Sequence, residues 1–225
     1  MAVVNSKTQR TEIPENARVF IAGKTGTGKS YMAESYLRGY KHVVKLDTKG
    51  ETLERYREGK SPWRGLKEGK DFTVCYRLEE LQYAKTDKII YCPEFDEQSI
   101  EFYDAFFKWI YDRENCIVWI DELMSICPHA MKYPLHLRGI MTRGRSKNVG
   151  VWALTQRPVD IPTIVTANSE IFVAFDLMLP QDRQKMANIT GVPEFNITPS
   201  TRAYPYAFWY FQADWEEAIK AQLEE

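Results

Sequence analysis

Gly23-Lys24-Thr25-Gly26-Thr27-Gly28-Lys29-Ser30 has the spacing G-x-x-x-x-G-K-[ST]. Glycines at 23, 26 and 28 let the backbone curl until successive N–H groups point at one anion. Lys29 is then placed to reach β- and γ-phosphates, and Ser30 to ligate Mg²⁺. All eight residues, Gly23, Lys24, Thr25, Gly26, Thr27, Gly28, Lys29 and Ser30, are candidate nucleotide contacts, and the implied ligand is ATP with Mg²⁺. A second chemically capable pair, Asp121-Glu122, ends the apolar run Ile117-Val118-Trp119-Ile120. Asp121 suits the Mg²⁺ shell, and Glu122 suits polarisation of an attacking water. Adjacent carboxylates favour hydrolysis over kinase chemistry, which excludes water. Gln156 ends a third apolar run and offers an uncharged hydrogen-bonding group to the γ-phosphate or the water.

Residues 123–159 carry six basic side chains, Lys132, Arg138, Arg143, Arg145, Lys147 and Arg157, and no acidic one. In a chain of net charge −1 such asymmetry is informative. One or two of these arginines could enter a neighbouring subunit's site and neutralise transition-state charge, with Arg143 and Arg145 ranked first because they precede the Gln156 strand. Others, Lys147 among them, could grip a phosphate backbone.

These groups need elements to hold them. Strand-like runs fall at 19–22, 42–46, 72–76, 88–92, 116–120, 150–155, 171–175 and 206–212. The phosphate loop sits between the first run and a helix whose Met32, Ala33, Tyr36 and Leu37 share a face. Ile100, Tyr103, Phe106, Phe107, Ile110 and Tyr111 recur at helical spacing over 97–113. Helices are also expected over 182–190, closed by Gly191, and over 215–224 as a terminal acidic element. Strands alternating with helices imply an α/β fold: a mainly parallel sheet with helices on both faces and ligands at the carboxyl ends of its strands. Tyr204, Tyr206, Phe208 and Tyr210 alternate, which fits a half-buried strand at least as well as a base-stacking platform.

At 225 residues, 44% hydrophobic and 27% charged, the chain fits one globular domain at 13–225 after a flexible tail at 1–12. Its longest apolar run is far short of a membrane span, and its first residues lack a secretory apolar region, so a cytoplasmic location is expected. Cys75, Cys92, Cys116 and Cys127 show no metal-type spacing and read as reduced core thiols.

From residue 19 to 191 the chain resembles the FtsK/HerA class of P-loop DNA translocases. The resemblance rests on Ala22 through Ser30 as Walker A, on Leu46-Asp47-Thr48-Lys49-Gly50 with Thr48 in place of the usual proline, and on Asp121-Glu122 as Walker B. It continues through Gly144-Arg145 ahead of Gly150, Thr155-Gln156-Arg157-Pro158, Asp160, Ala167-Asn168, Phe175 and Asp182-Arg183. It implies a RecA-like (ASCE-type) P-loop NTPase core, a homo-oligomeric ring of six or five subunits, Gln156 as sensor, and an arginine finger from the segment before the sensor strand. Within that class, a chain of little more than one ATPase core resembles the genome-packaging ATPases of membrane-containing icosahedral viruses. The resemblance then implies double-stranded DNA and capsid or vertex proteins as partners, in host cytoplasm or at a capsid vertex. It puts 123–139 near the DNA channel, with Lys132, His136 and Arg138 as contacts. A plasmid or conjugative translocase or helicase, and a nucleotide-dependent assembly switch that moves no DNA, are the alternatives.

Overall fold

The runs richest in aliphatic and aromatic residues become the middle of a sheet, because strands covered on both faces can afford few polar side chains. The computed structural model describes residues 2–4 and 12–223. Its strands are β1 (Ala2–Val4), β2 (Arg18–Ala22), β3 (Val43–Leu46), β4 (Phe72–Cys75), β5 (Lys88–Tyr91), β6 (Cys116–Ile120), β7 (Val149–Thr155), β8 (Ile171–Ala174), β9 (Ala207–Gln212) and β10 (Ile219–Leu223). Its α-helices are α1 (Lys29–Leu37), α2 (Glu51–Arg57), α3 (Ile100–Arg113), α4 (Leu123–Ile126), α5 (Leu135–Arg143), α6 (Thr163–Thr166) and α7 (Pro180–Thr190).

The strands form one sheet in the order β1-β10-β9-β8-β2-β7-β6-β3-β5-β4. From β8 through β4 every pairing is parallel, whereas β9, β10 and β1 run antiparallel along one edge. Alternation along β2 sends Phe20 and Ala22 to one core and Val19 and Ile21 to the other. The first core is covered by α3 through Phe106 and Phe107, the second by α1 through Met32 and Leu37. Helix α3 begins where the Ser99 hydroxyl accepts the Phe102 N–H, and α7 runs from Pro180 to a left-handed Gly191 at φ 73°. The segment before β2 lies across β7, so closely that a Cβ on Gly150 would stand 1.9 Å from the Glu15 carbonyl oxygen. No other residue type fits there.

Two expectations change. Residues 215–223, the described part of the expected 215–224 helix, do not form one: Ile219–Leu223 is β10, paired with β9. Lys, Ala and Gln favour helix in isolation, but Ala221 and Leu223 are buried and Lys220 and Gln222 exposed, a period of two that the open edge of β9 rewards with ladder hydrogen bonds. The expected tail is interrupted, because Ala2–Val4 pairs with β10, while 1 and 5–11 lie outside the described residues. The four cysteines are free and buried. Among the described residues no helix is long and apolar enough to cross a membrane.

Candidate active site

Parallel strands deliver their carboxyl ends to one edge, and four consecutive strands of the sheet place chemistry there. The phosphate loop follows β2, Asp47-Thr48-Lys49 follows β3, Asp121-Glu122 follows β6, and Gln156 follows β7. The phosphate loop, Lys49 and Gln156 border a cavity of about 720 Å³, a volume suited to a nucleotide-sized ligand, and Glu122 lies buried behind Lys49 and Gln156.

Within the loop, Thr25, Gly26, Gly28, Lys29 and Ser30 line the cavity. Gly28 caps α1 at φ 105°, a left-handed conformation costly for a residue with a Cβ. The Lys29 ammonium is buried and donates to the Gly23 and Lys24 carbonyls at 2.6 and 3.0 Å. Burial, and after it the positive charge of Lys49, pull the Lys29 amine down to about 8, against the opposing pull of Glu122. The other loop side chains are anchors. Thr27 donates its hydroxyl to Lys24 O at 2.8 Å, and Lys24 makes a 2.6 Å ion pair with Asp176 just beyond β8.

Asp121 is fully enclosed. Its Oδ1 accepts the Thr48 N–H and the Thr48 hydroxyl, each at 3.0 Å, and its Oδ2 is buried without a hydrogen-bond partner. A proline at position 48 could supply neither donor, so the departure from the resembled pattern has a structural use. Burial, then the neighbouring Asp47 charge, push the Asp121 carboxyl well above the usual carboxylate range. Asp47 itself is held low: burial opposes ionisation, but Lys45 and the N–H groups of Thr52 and Glu51 at the start of α2 outweigh it.

Glu122 shares one oxygen, Oε2, between Lys49 Nζ at 3.2 Å and Gln156 Nε2 at 3.1 Å, while Oε1 is buried and unpartnered. The Gln156 carbonyl oxygen accepts the Thr25 hydroxyl at 2.8 Å. Gln156 therefore bridges the carboxylate to the phosphate loop. The two unpartnered buried oxygens, Asp121 Oδ2 and Glu122 Oε1, are what a divalent cation and its water require, and the hydroxyl-bearing Ser30 borders the cavity that Lys49 and Gln156, the partners of Glu122, also line. This donor set fits Mg²⁺.

Arg143 and Arg145 lie elsewhere. They precede β7, at the amino ends of the parallel strands, where Arg145 is 3.5 Å from Glu170, which also holds Arg18 of β2 at 3.1 Å. The Arg143 guanidinium stands over the Tyr111 ring. Neither reaches the cavity of its own chain. Of the other basic candidates, Lys147 pairs with Glu114 and lies over Tyr111, and the His136 ring nitrogen Nδ1 is 2.8 Å from Asp104 Oδ2. Both are engaged within the chain. Lys132 and Arg138 are exposed, in the turn before α5 and on α5. Arg157, next to Gln156, turns away from the cavity to bond Asp182 at 3.1 Å, fixing the end of β7 against α7.

In the sequence Thr48 and Lys49 stand only as letters of a motif, with no role of their own. Their place after a buried strand, beside the other strand ends, was the available signal. Tyr31, Arg64 and Tyr206 also border the cavity; no local pattern marks the first two as site residues, and Tyr206 stands out only as one member of the alternating aromatic run.

The order of strands and the loop between β2 and α1 define the α/β fold of RecA-like P-loop ATPases. No family model and no curated protein matches the chain. Among solved structures, the chain is similar to the genome packaging NTPase B204 of Sulfolobus turreted icosahedral virus 2 in complex with AMPPCP, at TM-score 0.70 and 15% identity, covering 94% of this chain and 98% of that one. It is also similar to VirB4 of Thermoanaerobacter pseudethanolicus, at TM-score 0.64 and 12% identity over 93% and 90% of the two chains. The cytoplasmic domain of the type VII secretion ATPase EccC of Thermomonospora curvata shares the fold at TM-score 0.59 and 15% identity, with 94% of this chain matching 26% of that one.

Proposed function

We propose that this protein is an ATP-hydrolysing motor that translocates double-stranded DNA and packages a viral genome into a preformed capsid. The observation that carries the reading is the Thr25–Gln156–Glu122 chain of hydrogen bonds, which ties a buried carboxylate to the phosphate loop. In hydrolysis, Glu122 takes a proton from water as the water oxygen bonds the γ-phosphorus, and the β–γ bridging oxygen leaves with its electron pair on ADP. Gln156 orients Glu122 and responds to the γ-phosphate through Thr25. Lys29 neutralises charge on the β- and γ-phosphates, and the P-loop N–H groups hold them. Ser30 and Asp121 would hold Mg²⁺, which supplies charge neutralisation at the phosphate oxygens when bound.

Among the described residues Arg64, over the Tyr31 ring, is the arginine that lines the cavity, and Arg143 and Arg145 stand on the opposite edge of the sheet. That separation supports a ring of six or five subunits in which one of them completes a neighbour's site. Exposed Lys132 and Arg138 are the DNA contacts best placed to meet phosphates without reading sequence. The resemblance described from the motifs, and the full-length likeness to a protein described as a genome packaging NTPase, support packaging over other translocation. Capsid or vertex proteins and a site of action in host cytoplasm belong to the same reading.

The test is ATPase activity with and without duplex DNA. DNA is expected to stimulate hydrolysis, Lys29→Ala to abolish it, and mixing Lys29→Ala with Arg143→Ala or Arg145→Ala subunits to restore part of it. An assembled oligomer that neither binds DNA nor responds to it would instead be an assembly switch. A plasmid or conjugative translocase would pass these assays, and would be separated from a packaging motor by failing to fill empty capsids with DNA.

A further inference from the structure

The cavity has a second end that the phosphate chemistry does not use. Glu122, Gln156 and Lys49 fix the γ-phosphate end on the side of β3, β6 and β7. A triphosphate lying along the loop must then carry its nucleoside off the other flank, where α1 begins and where β8 and β9 meet. Strand β9 is antiparallel to β8, with Ala174 opposite Trp209, so the residue entering β9 arrives at the carboxyl edge of β8. That residue is Tyr206.

The Tyr206 ring lies against the loop: its Cδ1 is 3.0 Å from where a Gly28 Cβ would stand, with Leu223 Cδ1 at 3.1 Å and Phe175 Cε1 at 3.4 Å from the same point. Apolar groups thus pack around the bare backbone of Gly28, and Tyr206 borders the cavity. Tyr31, in the first turn of α1, borders it too, under the Arg64 guanidinium 4.9 Å from its ring centroid. The Tyr206 backbone is at φ 59°, a conformation unusual for a bulky side chain. Such strain persists where the surroundings enforce it. Here Leu223 N–H donates to Tyr206 O at 3.2 Å, the Gln222 amide donates to Pro205 O at 2.8 Å, and Ala207 N–H donates to Tyr204 O at 3.2 Å. Two of these ties come from β10.

We propose that Tyr206 seats the base of the bound nucleoside triphosphate, stacking its ring on the base, with Tyr31 as the adjoining wall. A π-faced, sequence-tolerant surface next to an anion-binding loop is the chemistry that recognises a nucleotide rather than a bare polyphosphate. This rests on the reading of the loop as a triphosphate site, and the test separates the two by using two probes with Mg²⁺, ATP and inorganic tripolyphosphate. Tyr206→Asn removes the ring yet tolerates the left-handed backbone, and Tyr206→Phe keeps the ring.

Tyr206→Asn is expected to weaken ATP about tenfold and to leave tripolyphosphate affinity as in the native protein, while Tyr206→Phe binds both as the native protein does. Equal loss of both probes, or loss of neither, overturns the base seat while leaving the phosphate site intact. A loss of ATP in Tyr206→Phe as large as in Tyr206→Asn also overturns it. If the native protein binds neither probe, the triphosphate reading fails, and the base seat with it.

Discussion

The two flanks of the phosphate loop are built from different materials. On the β3–β6–β7 side, polar groups meet in hydrogen bonds and an ion pair: Thr48 on Asp121, Lys49 and Gln156 on Glu122, Thr25 on Gln156. On the β8–β9–β10 side the Lys24–Asp176 pair anchors the loop, and the contacts with Gly28 are apolar, from Phe175, Tyr206 and Leu223. The difference follows the two ends of the proposed ligand. Charge develops at the γ-phosphate, and stabilising it requires dipoles and charges fixed before reaction. A base changes no charge, so surface and shape suffice. The first flank is held by short turns at the ends of buried parallel strands, the second by an antiparallel edge added outside them.

The largest effect is expected where charge moves. Glu122→Gln should lower the hydrolysis rate about a thousandfold, because a neutral amide cannot take the water's proton, while ATP still binds. Single-turnover hydrolysis and nucleotide binding measured on the same preparation check this. A variant that keeps native turnover would remove the chemical distinction between the flanks. The next effect is in stability. Arg55 of α2 meets Glu34 of α1 through two bonds of 2.7 and 3.0 Å, both side chains nearly enclosed, and so clamps the helix behind the loop to the helix behind Lys49. Arg55→Leu removes both bonds from the enclosed Glu34 carboxylate, which keeps the Arg64 N–H at 2.6 Å, and should cost about 3 kcal/mol in a denaturant titration. Converting both residues to leucine should recover part of that loss, and no recovery would mean that the bond from Arg55 to the Pro62 carbonyl or from the Arg64 N–H to Glu34 matters more than the pair itself.

The same division decides what the chain discloses before folding. The charged flank is local: Gly23 to Ser30 is a single run, and Asp121-Glu122 ends a strand whose five residues are all buried, so loop, strand and chemistry lie within a few residues of one another. The parallel sheet was legible for the same reason, since 116–120 and 150–155 are too apolar to be anything but interior. Lys49 was visible only as a motif letter, because its partner Glu122 is 73 positions away. Tyr206 is farther from the loop still. The alternation of Phe208 and Tyr210 revealed a strand, and both are buried in it, but not that the residue ahead of them would face the cavity. Residues 219–223 read as part of a helix because five residues give a weak period and Lys, Ala and Gln favour helix. Only the unpaired side of β9 makes them a strand, and that is a tertiary fact.

The smallest expected effect probes that edge. Leu223 is buried near the end of β10, its methyl close to Gly28 and its N–H on the Tyr206 carbonyl. Leu223→Ala removes apolar contact at the rim of the sheet and should cost about 2 kcal/mol, the low end for a buried leucine. The backbone bond to Tyr206 survives, so the ring loses a packing neighbour but not its tether, and ATP affinity should fall only about threefold, a fraction of a full stacking contact. Tripolyphosphate affinity should not change. If it falls in step with ATP, Leu223 supports the phosphate loop itself, and the two flanks are one mechanical unit. If ATP affinity alone falls, β10 acts on the nucleotide through Tyr206, which gives the edge strand a role in recognition as well as in closing the sheet.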